Sequence, residues 1–180
     1  MKRGLDIAAS IVGLIFAWPI ILAAVIAVRL DSRGPALFCQ TRVGRHRRPF
    51  KCYKLRTMHI GTAQRATHLV GDDAITHFGR FARRTKLDEV PQLFNVLIGD
   101  MSLVGPRPCL PSQTELVEAR SRLGVYEARP GITGLAQIQG VDMSTPQRLA
   151  ELDSAYLSSR TFAGDLRIIL ATFVGGRAAP

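Results

Sequence analysis

The feature that most constrains this chain is an uncharged apolar stretch close to its N-terminus. No residue between Asp6 and Arg29 carries a charge, so the stretch covers residues 7–28. With about 1.5 Å of rise per residue, a helix of this length reaches roughly 33 Å, while the hydrocarbon core of a bilayer is about 30 Å thick. The stretch is therefore long enough to enter or cross a membrane.

Pro19 lies inside this stretch, where it removes one backbone hydrogen bond and clashes with the preceding turn. The limbs on either side, 7–18 and 20–28, would reach only about 18 Å and about 14 Å. Basic residues flank both ends, and such flanks tend to stay on the cytoplasmic side. We predict a re-entrant helix that bends at Pro19 within the inner leaflet, its flanks on anionic lipid. A straight span and a cleaved signal peptide are the alternatives.

The composition limits the number of domains and the kinds of partner that the chain can have. Its 180 residues fit one domain, and the formal charge of +10 with a pI near 10.5 suits anionic partners such as lipid head groups, nucleotides or nucleic acid. Cys39, Cys52 and Cys109 form no Cys-x-x-Cys pair, which argues against a disulfide framework or a zinc site and indicates reduced thiols. The four histidines show no metal-ligand spacing.

The remaining pattern predicts a mostly α fold with short β segments. Residues 30–56 are strand-like or irregular, because Gly and Pro interrupt short apolar groups. Apolar residues at helical spacing predict helices at 76–84, 87–98, 112–123, 146–159 and 165–174. Thr85 and Asp88 resemble the start of the second of these, and the last is apolar enough to lie in a membrane interface. We therefore divide the chain into a membrane helix, 1–30, and a compact domain with interfacial amphipathic helices, 31–180, which form one functional unit.

Four segments contain the residue types that a phosphate-handling site needs. They read GPALFCQTRVG at 34–44 with FKCYKLRTM at 50–58, RRTKLDEVPQLFNVL at 83–97, GDMSLVGPRP at 99–108 and RPGITGLAQ at 129–137. In this order they resemble the bacterial sugar transferase family, the monotopic phosphoglycosyl transferases that begin the assembly of many surface glycans. The resemblance covers nearly the whole chain.

The resemblance implies an enzyme at the cytoplasmic face of the bacterial inner membrane. It would move a sugar 1-phosphate from a UDP-sugar to polyprenol (undecaprenyl) phosphate, releasing UMP, as the first membrane step of exopolysaccharide, capsule, O-antigen or glycoprotein glycan assembly. It also implies Mg²⁺-dependent chemistry through the Asp88 and Glu89 pair. The sugar, the pathway and the oligomeric state, a homo-oligomer included, stay open.

The chemistry of the Asp88 and Glu89 pair supports this role independently. We expect both carboxylates, at a helix start among cations, to be held ionised. An ionised Asp88 can attack phosphorus and form a covalent phosphosugar, and the same carboxylate can bind Mg²⁺ together with phosphate oxygens and water. Glu89 would assist with the metal or with proton handling.

Several basic residues suit phosphate binding. Arg107, between two prolines, offers a planar fork of donors, and the resemblance adds Lys54, Arg56 and Arg83 as phosphate or carboxylate partners. Residues 130–134 read as a tight turn, either a plain one or one whose backbone amides face an anion.

The main rival interpretation is a basic, non-catalytic module that binds a membrane surface or nucleic acid. We expect no nucleic acid among the partners, because aromatic residues do not interleave with the basic ones.

Overall fold

The computed structural model describes residues 2–62 and 72–174, and it is mostly helical with short strands, as predicted. In that part of the chain the helices are α1 (Lys2–Asp31), α2 (His77–Arg84), α3 (Gln92–Ile98), α4 (Thr114–Arg122), α5 (Leu135–Ile138), α6 (Pro146–Ser159) and α7 (Phe162–Val174). The strands are β1 (Leu37–Val43), β2 (Pro49–Leu55), β3 (Ser102–Val104) and β4 (Gly131–Thr133). Single 3₁₀ turns cover Arg45–Arg47, Asp72–Ala74, Leu87–Glu89 and Val125–Glu127. His68 and the end of the predicted second domain, 175–180, lie outside the described residues.

The apolar stretch folds as the single helix α1, which continues through Pro19 instead of splitting into two helical limbs. One proline removes one hydrogen bond, and the apolar turns on either side retain theirs. Only 11% of the most apolar 18-residue segment of α1 is buried, and the side chains of Phe16 and Trp18 are 75% and 61% exposed. This helix is long and apolar enough to cross a membrane; its re-entrant course stays a prediction.

The N-terminal end of α1 is held by the rest of the chain. Arg3 donates from Nη1 to the Val96 carbonyl at 2.6 Å and from Nη2 to the Leu97 carbonyl at 3.0 Å, so it satisfies the last carbonyls of α3. Buried Asp6 accepts a hydrogen bond of 2.9 Å from the Ser102 hydroxyl at the start of β3.

The C-terminal end of α1 is held in a similar way. The Arg56 guanidinium donates from Nη2 to the Ser32 carbonyl at 2.6 Å and from Nη1 to the Arg33 carbonyl at 2.8 Å. Asp31 accepts a hydrogen bond of 2.8 Å from the backbone N–H of Phe78, in the first turn of α2. Both ends of α1 are therefore fixed to the same body of the protein.

The strands form two separate pairs. β1 and β2 form an antiparallel hairpin in which Leu37 faces Leu55 and Val43 faces Pro49. β3 and β4 are parallel, with Ser102 opposite Gly131. The prediction of a turn at 130–134 was wrong, because the Gly131 N–H donates to the Pro106 carbonyl and the segment pairs with β3.

The helix predicted at 87–98 is divided. Leu87–Glu89 forms a 3₁₀ turn, Pro91 follows, and α3 begins at Gln92. Proline has no N–H to donate to a preceding turn, so it begins a helix more readily than it continues one. Thr85 closes α2 rather than opening a helix, since its hydroxyl donates to the Phe81 carbonyl at 2.9 Å.

The core behind the strands is apolar and contains one buried ion pair. Leu116 and Ala119 of α4 pack with Leu149 of α6. In the same layer Arg120, 1% exposed, donates to Asp153, 3% exposed, at 2.6 Å from Nη2 and 2.9 Å from Nε. All three cysteines are free thiols, as predicted.

Candidate active site

All six residues that the sequence suggested for the site line one cavity of about 530 Å³. Its walls are formed by β1, β2 and the segment after it, the last turn of α2, the Leu87–Glu89 turn and the loop after β3. The six side chains are those of Lys54, Arg56, Arg83, Asp88, Glu89 and Arg107. They come from three separate stretches of chain, 54–56, 83–89 and residue 107, which the fold brings together.

The turn that presents the two carboxylates has an unusual backbone. Lys86 precedes it in the left-handed conformation, with φ of 58°. The Glu89 N–H then donates to the Lys86 carbonyl at 3.1 Å, which closes the 3₁₀ turn. Non-glycine residues rarely adopt positive φ, so the surrounding structure must stabilise this turn.

Glu89 is the centre of an ion-pair cluster. Its Oε1 accepts from Lys54 Nζ at 2.7 Å and from Arg107 Nη2 at 2.5 Å, and its side chain is only 13% exposed. Burial alone would raise the pKa of Glu89, but the charges and hydrogen bonds of Arg107 and Lys54 lower it well below its usual range. Glu89 is therefore a fixed anion that orients two cations.

Asp88, the adjacent carboxylate, has a different environment. It is 8% exposed, and within residues 2–62 and 72–174 no side chain donates a hydrogen bond to its carboxylate. Burial raises the pKa of Asp88, and the attraction of Lys54, Arg107 and Arg83 offsets this only in part. The expectation that both carboxylates are held ionised by their neighbours is right for Glu89. For Asp88 desolvation outweighs the nearby cations and raises the pKa, so the cations favour its ionised form less strongly than they favour that of Glu89.

Arg83 reaches the cavity from the last turn of α2. Its Nε donates to the Thr57 hydroxyl at 2.9 Å, and Thr57 lies in the buried segment after β2. This contact connects the Arg83 side chain to the segment after β2. Arg83 also lowers the pKa of Asp88, although less than Lys54 and Arg107 do.

Arg56 and Pro19 differ from the other predicted residues. Arg56 is 7% exposed, and the carbonyls at the end of α1 occupy its Nη1 and Nη2, while buried Nε has no partner among the described residues. It thus caps α1, and its substrate role stays a prediction. Pro19 belongs to α1 and is not among the residues lining the cavity.

Two arginines near the site were not predicted as site residues. Arg42 of β1 lines the cavity and donates to the Pro108 carbonyl at 3.1 Å. It belongs to the 34–44 segment and to the basic flank of the apolar stretch, but no site role was assigned to it. Arg120 donates from Nη1 to the backbone carbonyl of Arg107 at 2.8 Å and so holds the loop that presents Arg107. No local pattern around Arg120 distinguishes it from a surface arginine of a helix.

Few side chains in the described part of the chain are placed to bind a metal ion. In the described ranges no three His, Cys, Asp or Glu side chains are grouped as ligands. The carboxylate of Asp88 is free of hydrogen bonds from described side chains, whereas one oxygen of Glu89 is held by two cations. The residues therefore fit a Mg²⁺ ion held by one or two carboxylates and completed by substrate phosphate and water.

Comparisons with known proteins identify a family. A sequence model of the family described as bacterial sugar transferase matches residues 1–176. A UDP-glucose:undecaprenyl-phosphate glucose-1-phosphate transferase of Caulobacter vibrioides is 44% identical over 95% of this chain and 67% of its own length. An undecaprenyl-phosphate glucose phosphotransferase of Komagataeibacter xylinus is 40% identical, and an undecaprenyl-phosphate galactose phosphotransferase of Salmonella typhimurium 38%. The chain spans only 35% and 39% of the lengths of these two relatives.

Proposed function

The chain belongs to the bacterial sugar transferase family, and we propose that it transfers a sugar 1-phosphate from a UDP-sugar to undecaprenyl phosphate, releasing UMP. The relatives named above carry out reactions of this description. The observation that carries the proposal is the cavity around Asp88, a buried carboxylate without hydrogen bonds from described side chains, among Lys54, Arg83 and Arg107. A carboxylate in this setting suits attack on a diphosphate that the cations hold.

The transfer takes two displacements. The Asp88 carboxylate oxygen attacks the phosphorus that bears the sugar, and the bond from that phosphorus to the bridging oxygen breaks, so UMP leaves with the electron pair. The phosphate oxygen of the lipid acceptor then attacks the same phosphorus. The bond to Asp88 breaks, which restores the carboxylate and yields polyprenol-diphosphate-sugar.

The ion-pair cluster holds the substrate in place. Glu89 aims Lys54 and Arg107 into the cavity, where their donors stabilise the charge of the diphosphate as the bond to UMP breaks. Mg²⁺, held by Asp88 with help from Glu89, would supply further neutralisation of the phosphate oxygens.

A membrane-bound substrate requires a site at the membrane. The exposed apolar face of α1 and exposed Phe162, Leu166, Leu170 and Phe173 along α7 suit contact with lipid. Both ends of α1 dock on the same body of the protein, which supports a re-entrant helix with the site at the cytoplasmic face of the inner membrane. There the enzyme would perform the first membrane step of surface-glycan assembly.

A UMP-release assay tests the proposal. Detergent-solubilised protein with Mg²⁺ and a panel of UDP-sugars, but without the lipid acceptor, should release UMP in an amount equal to the enzyme, and intact-protein mass spectrometry should show one added phosphosugar. Adding undecaprenyl phosphate should remove the adduct and allow multiple turnovers. Chelation of the metal should suppress the burst.

Asp88→Asn keeps the shape and removes the nucleophile, so burst and adduct should both vanish. An adduct that maps to Glu89 would exchange the two roles, and a reaction that needs both substrates at once would replace the covalent route with direct transfer. If the protein releases no UMP from any UDP-sugar, the rival interpretation of a non-catalytic membrane-binding module gains support.

A further inference from the structure

A second cavity, of about 770 Å³, lies on the other side of the Glu89 cluster. It shares Arg42, Lys54, Lys86, Glu89 and Arg107 with the first cavity, so the two meet at this charged wall. Asp88 lines only the first cavity. A phosphate held at the wall can therefore be approached from either side.

The second cavity has a largely aliphatic lining. Side chains from α3, β3, β4, α7 and the segment before α6 form it, among them Leu93, Leu103, Ile132, Met143 and Ile169. The first cavity is lined by more polar and charged residues, which suit a diphosphate and sugar hydroxyls. An aliphatic wall provides no donors or acceptors for those groups.

Several polar groups that line the second cavity already form hydrogen bonds within the protein. The hydroxyls of Thr133 and Thr172 are hydrogen-bonded to each other at 2.6 Å, and Gln137 donates from Nε2 to the Ile132 carbonyl at 3.0 Å, while its buried Oε1 has no partner among the described residues. Thr85 donates to the Phe81 carbonyl. The clear recognition elements for an anion are then the cations of the shared wall.

The second cavity adjoins the membrane-facing part of the molecule. Leu93, one of its lining residues, contacts α1 at Gly13. A Cβ at position 13 would lie 3.1 Å from the Leu93 side chain. Another lining residue, Phe173, is 84% exposed near the end of α7. A long apolar chain that leaves the cavity here would pass along exposed apolar surface rather than into water.

We infer that the second cavity binds the phosphate end and the first isoprene units of the lipid acceptor, while the UDP-sugar occupies the first cavity. The inference rests on the proposed function and deepens it. The shared cations match the acceptor phosphate, the aliphatic walls match its chain, and the volume suits a ligand of drug-like size, so the rest of the polyprenol must lie in the bilayer.

One substitution made in both cavities tests the inference. Met143 lines only the second cavity and Met58 only the first, and both are half-buried. Glutamine is close to methionine in length and flexibility but adds a polar amide. We expect Met143→Gln to lower kcat/KM for undecaprenyl phosphate at least about fivefold, about 1 kcal/mol, while kcat/KM for the UDP-sugar changes less than about twofold. Met58→Gln should change mainly kcat/KM for the UDP-sugar.

A cross-linking experiment on the unmodified protein gives an independent readout if either variant fails to fold. A polyprenol phosphate with a photoreactive group near its phosphate end should label peptides of α3, α7 or 141–143. Undecaprenyl phosphate should block this labelling, and UDP should not remove it from these peptides. Labelling confined to residues 55–62 would overturn the inference.

The kinetic outcomes separate the inference from the proposed function. If the wild type transfers no sugar phosphate from any UDP-sugar, the proposed function fails, whereas labelling can still succeed. If the wild type is active but Met143→Gln lowers kcat/KM for the UDP-sugar alone, or for both substrates equally, the assignment of the two cavities is wrong.

Discussion

Asp88 and Glu89 are adjacent in sequence and both are buried, yet their pKa values shift in opposite directions. Burial raises the pKa of Asp88, so its ionised form costs folding free energy at every pH above its unfolded pKa. Glu89 is buried as well, but Arg107 and Lys54 lower its pKa. Its ion pairs therefore stabilise the fold above its unfolded pKa, and this stability is lost as the pH falls towards its folded pKa.

Matched amide variants should consequently shift stability in opposite directions. At pH 7 we expect Asp88→Asn to raise Tm, because it removes a buried charge that the nearby cations compensate only in part. Glu89→Gln should cost about 2 kcal/mol as two charged hydrogen bonds weaken. Thermal unfolding in detergent, followed at pH 7 and again in acid, measures both effects. A fall in Tm for Asp88→Asn at pH 7 would show that its charge stabilises the fold.

Substitution of Arg107 tests whether turnover depends on the geometry of its hydrogen-bond donors as well as on their charge. Arg107→Lys keeps the positive charge but loses the planar fork, so we expect turnover to fall at least about tenfold, about 1.4 kcal/mol in the transition state. Arg148→Lys is the matched control, since Arg148 is 66% exposed and pairs with Glu151 on the surface of α6. Equal turnover in both variants would remove Arg107 from the site.

At the scale of elements, the buried pair of Arg120 and Asp153 connects α4, α6 and the loop that presents Arg107. Loss of one partner leaves the other charged and desolvated, so we expect Arg120→Met to cost about 3–5 kcal/mol. The double variant Arg120→Met with Asp153→Leu should recover much of that loss, because apolar side chains of similar volume replace a buried ion pair without leaving a lone charge. Denaturant unfolding of the two single variants and the double variant measures the coupling. Additive losses would show that the pair is not coupled.

The two short sheets position different parts of the site. The antiparallel hairpin of β1 and β2 carries Arg42 and Lys54 to the site, and the register of the pair is continuous from Leu37 to Val43. The parallel pair of β3 and β4 positions the Gly105–Pro106 segment before Arg107. A Cβ at Gly131 would lie 2.1 Å from the backbone nitrogen of Gly105, so close backbone approach requires glycine at 131.

For the whole molecule, the fixed ends of α1 predict its topology. A straight helix of this length measures about 45 Å, and one that crossed a bilayer would place its ends on opposite sides. Here Arg3 and Asp6 hold one end and Asp31 holds the other to the same body. We therefore expect residues 4 and 33 to face the cytoplasm together.

Cysteine labelling measures that topology. Cys39 is exposed and would be changed to serine, whereas Cys52 and Cys109 are buried. In that background Gly4→Cys and Arg33→Cys should resist an impermeant thiol reagent in intact cells and react after the inner membrane is permeabilised. Reaction of either one in intact cells would contradict the re-entrant helix.

Much of the fold and most of the site residues were predictable. Apolar periodicity predicted the helices at 76–84, 112–123 and 146–159 to within two residues at each end of the observed ones. The errors lie where local patterns are ambiguous. Pro91 divides an otherwise convincing helix, and residues 131–133 form a strand only because β3 lies alongside them.

By itself the sequence determined the apolar N-terminal helix, the mostly helical domain and the group of residues that line the site, because each is recorded in the order and spacing of nearby residues. Only the tertiary structure decided how those residues divide their roles. Glu89 is fixed because Lys54 and Arg107 reach it from distant segments, whereas the neighbouring Asp88 accepts no hydrogen bond from a side chain in the described part of the chain. Arg56 turns to the end of α1. Desolvation and ion pairing depend on which side chains surround a group in space, and the local pattern of a sequence does not contain that information.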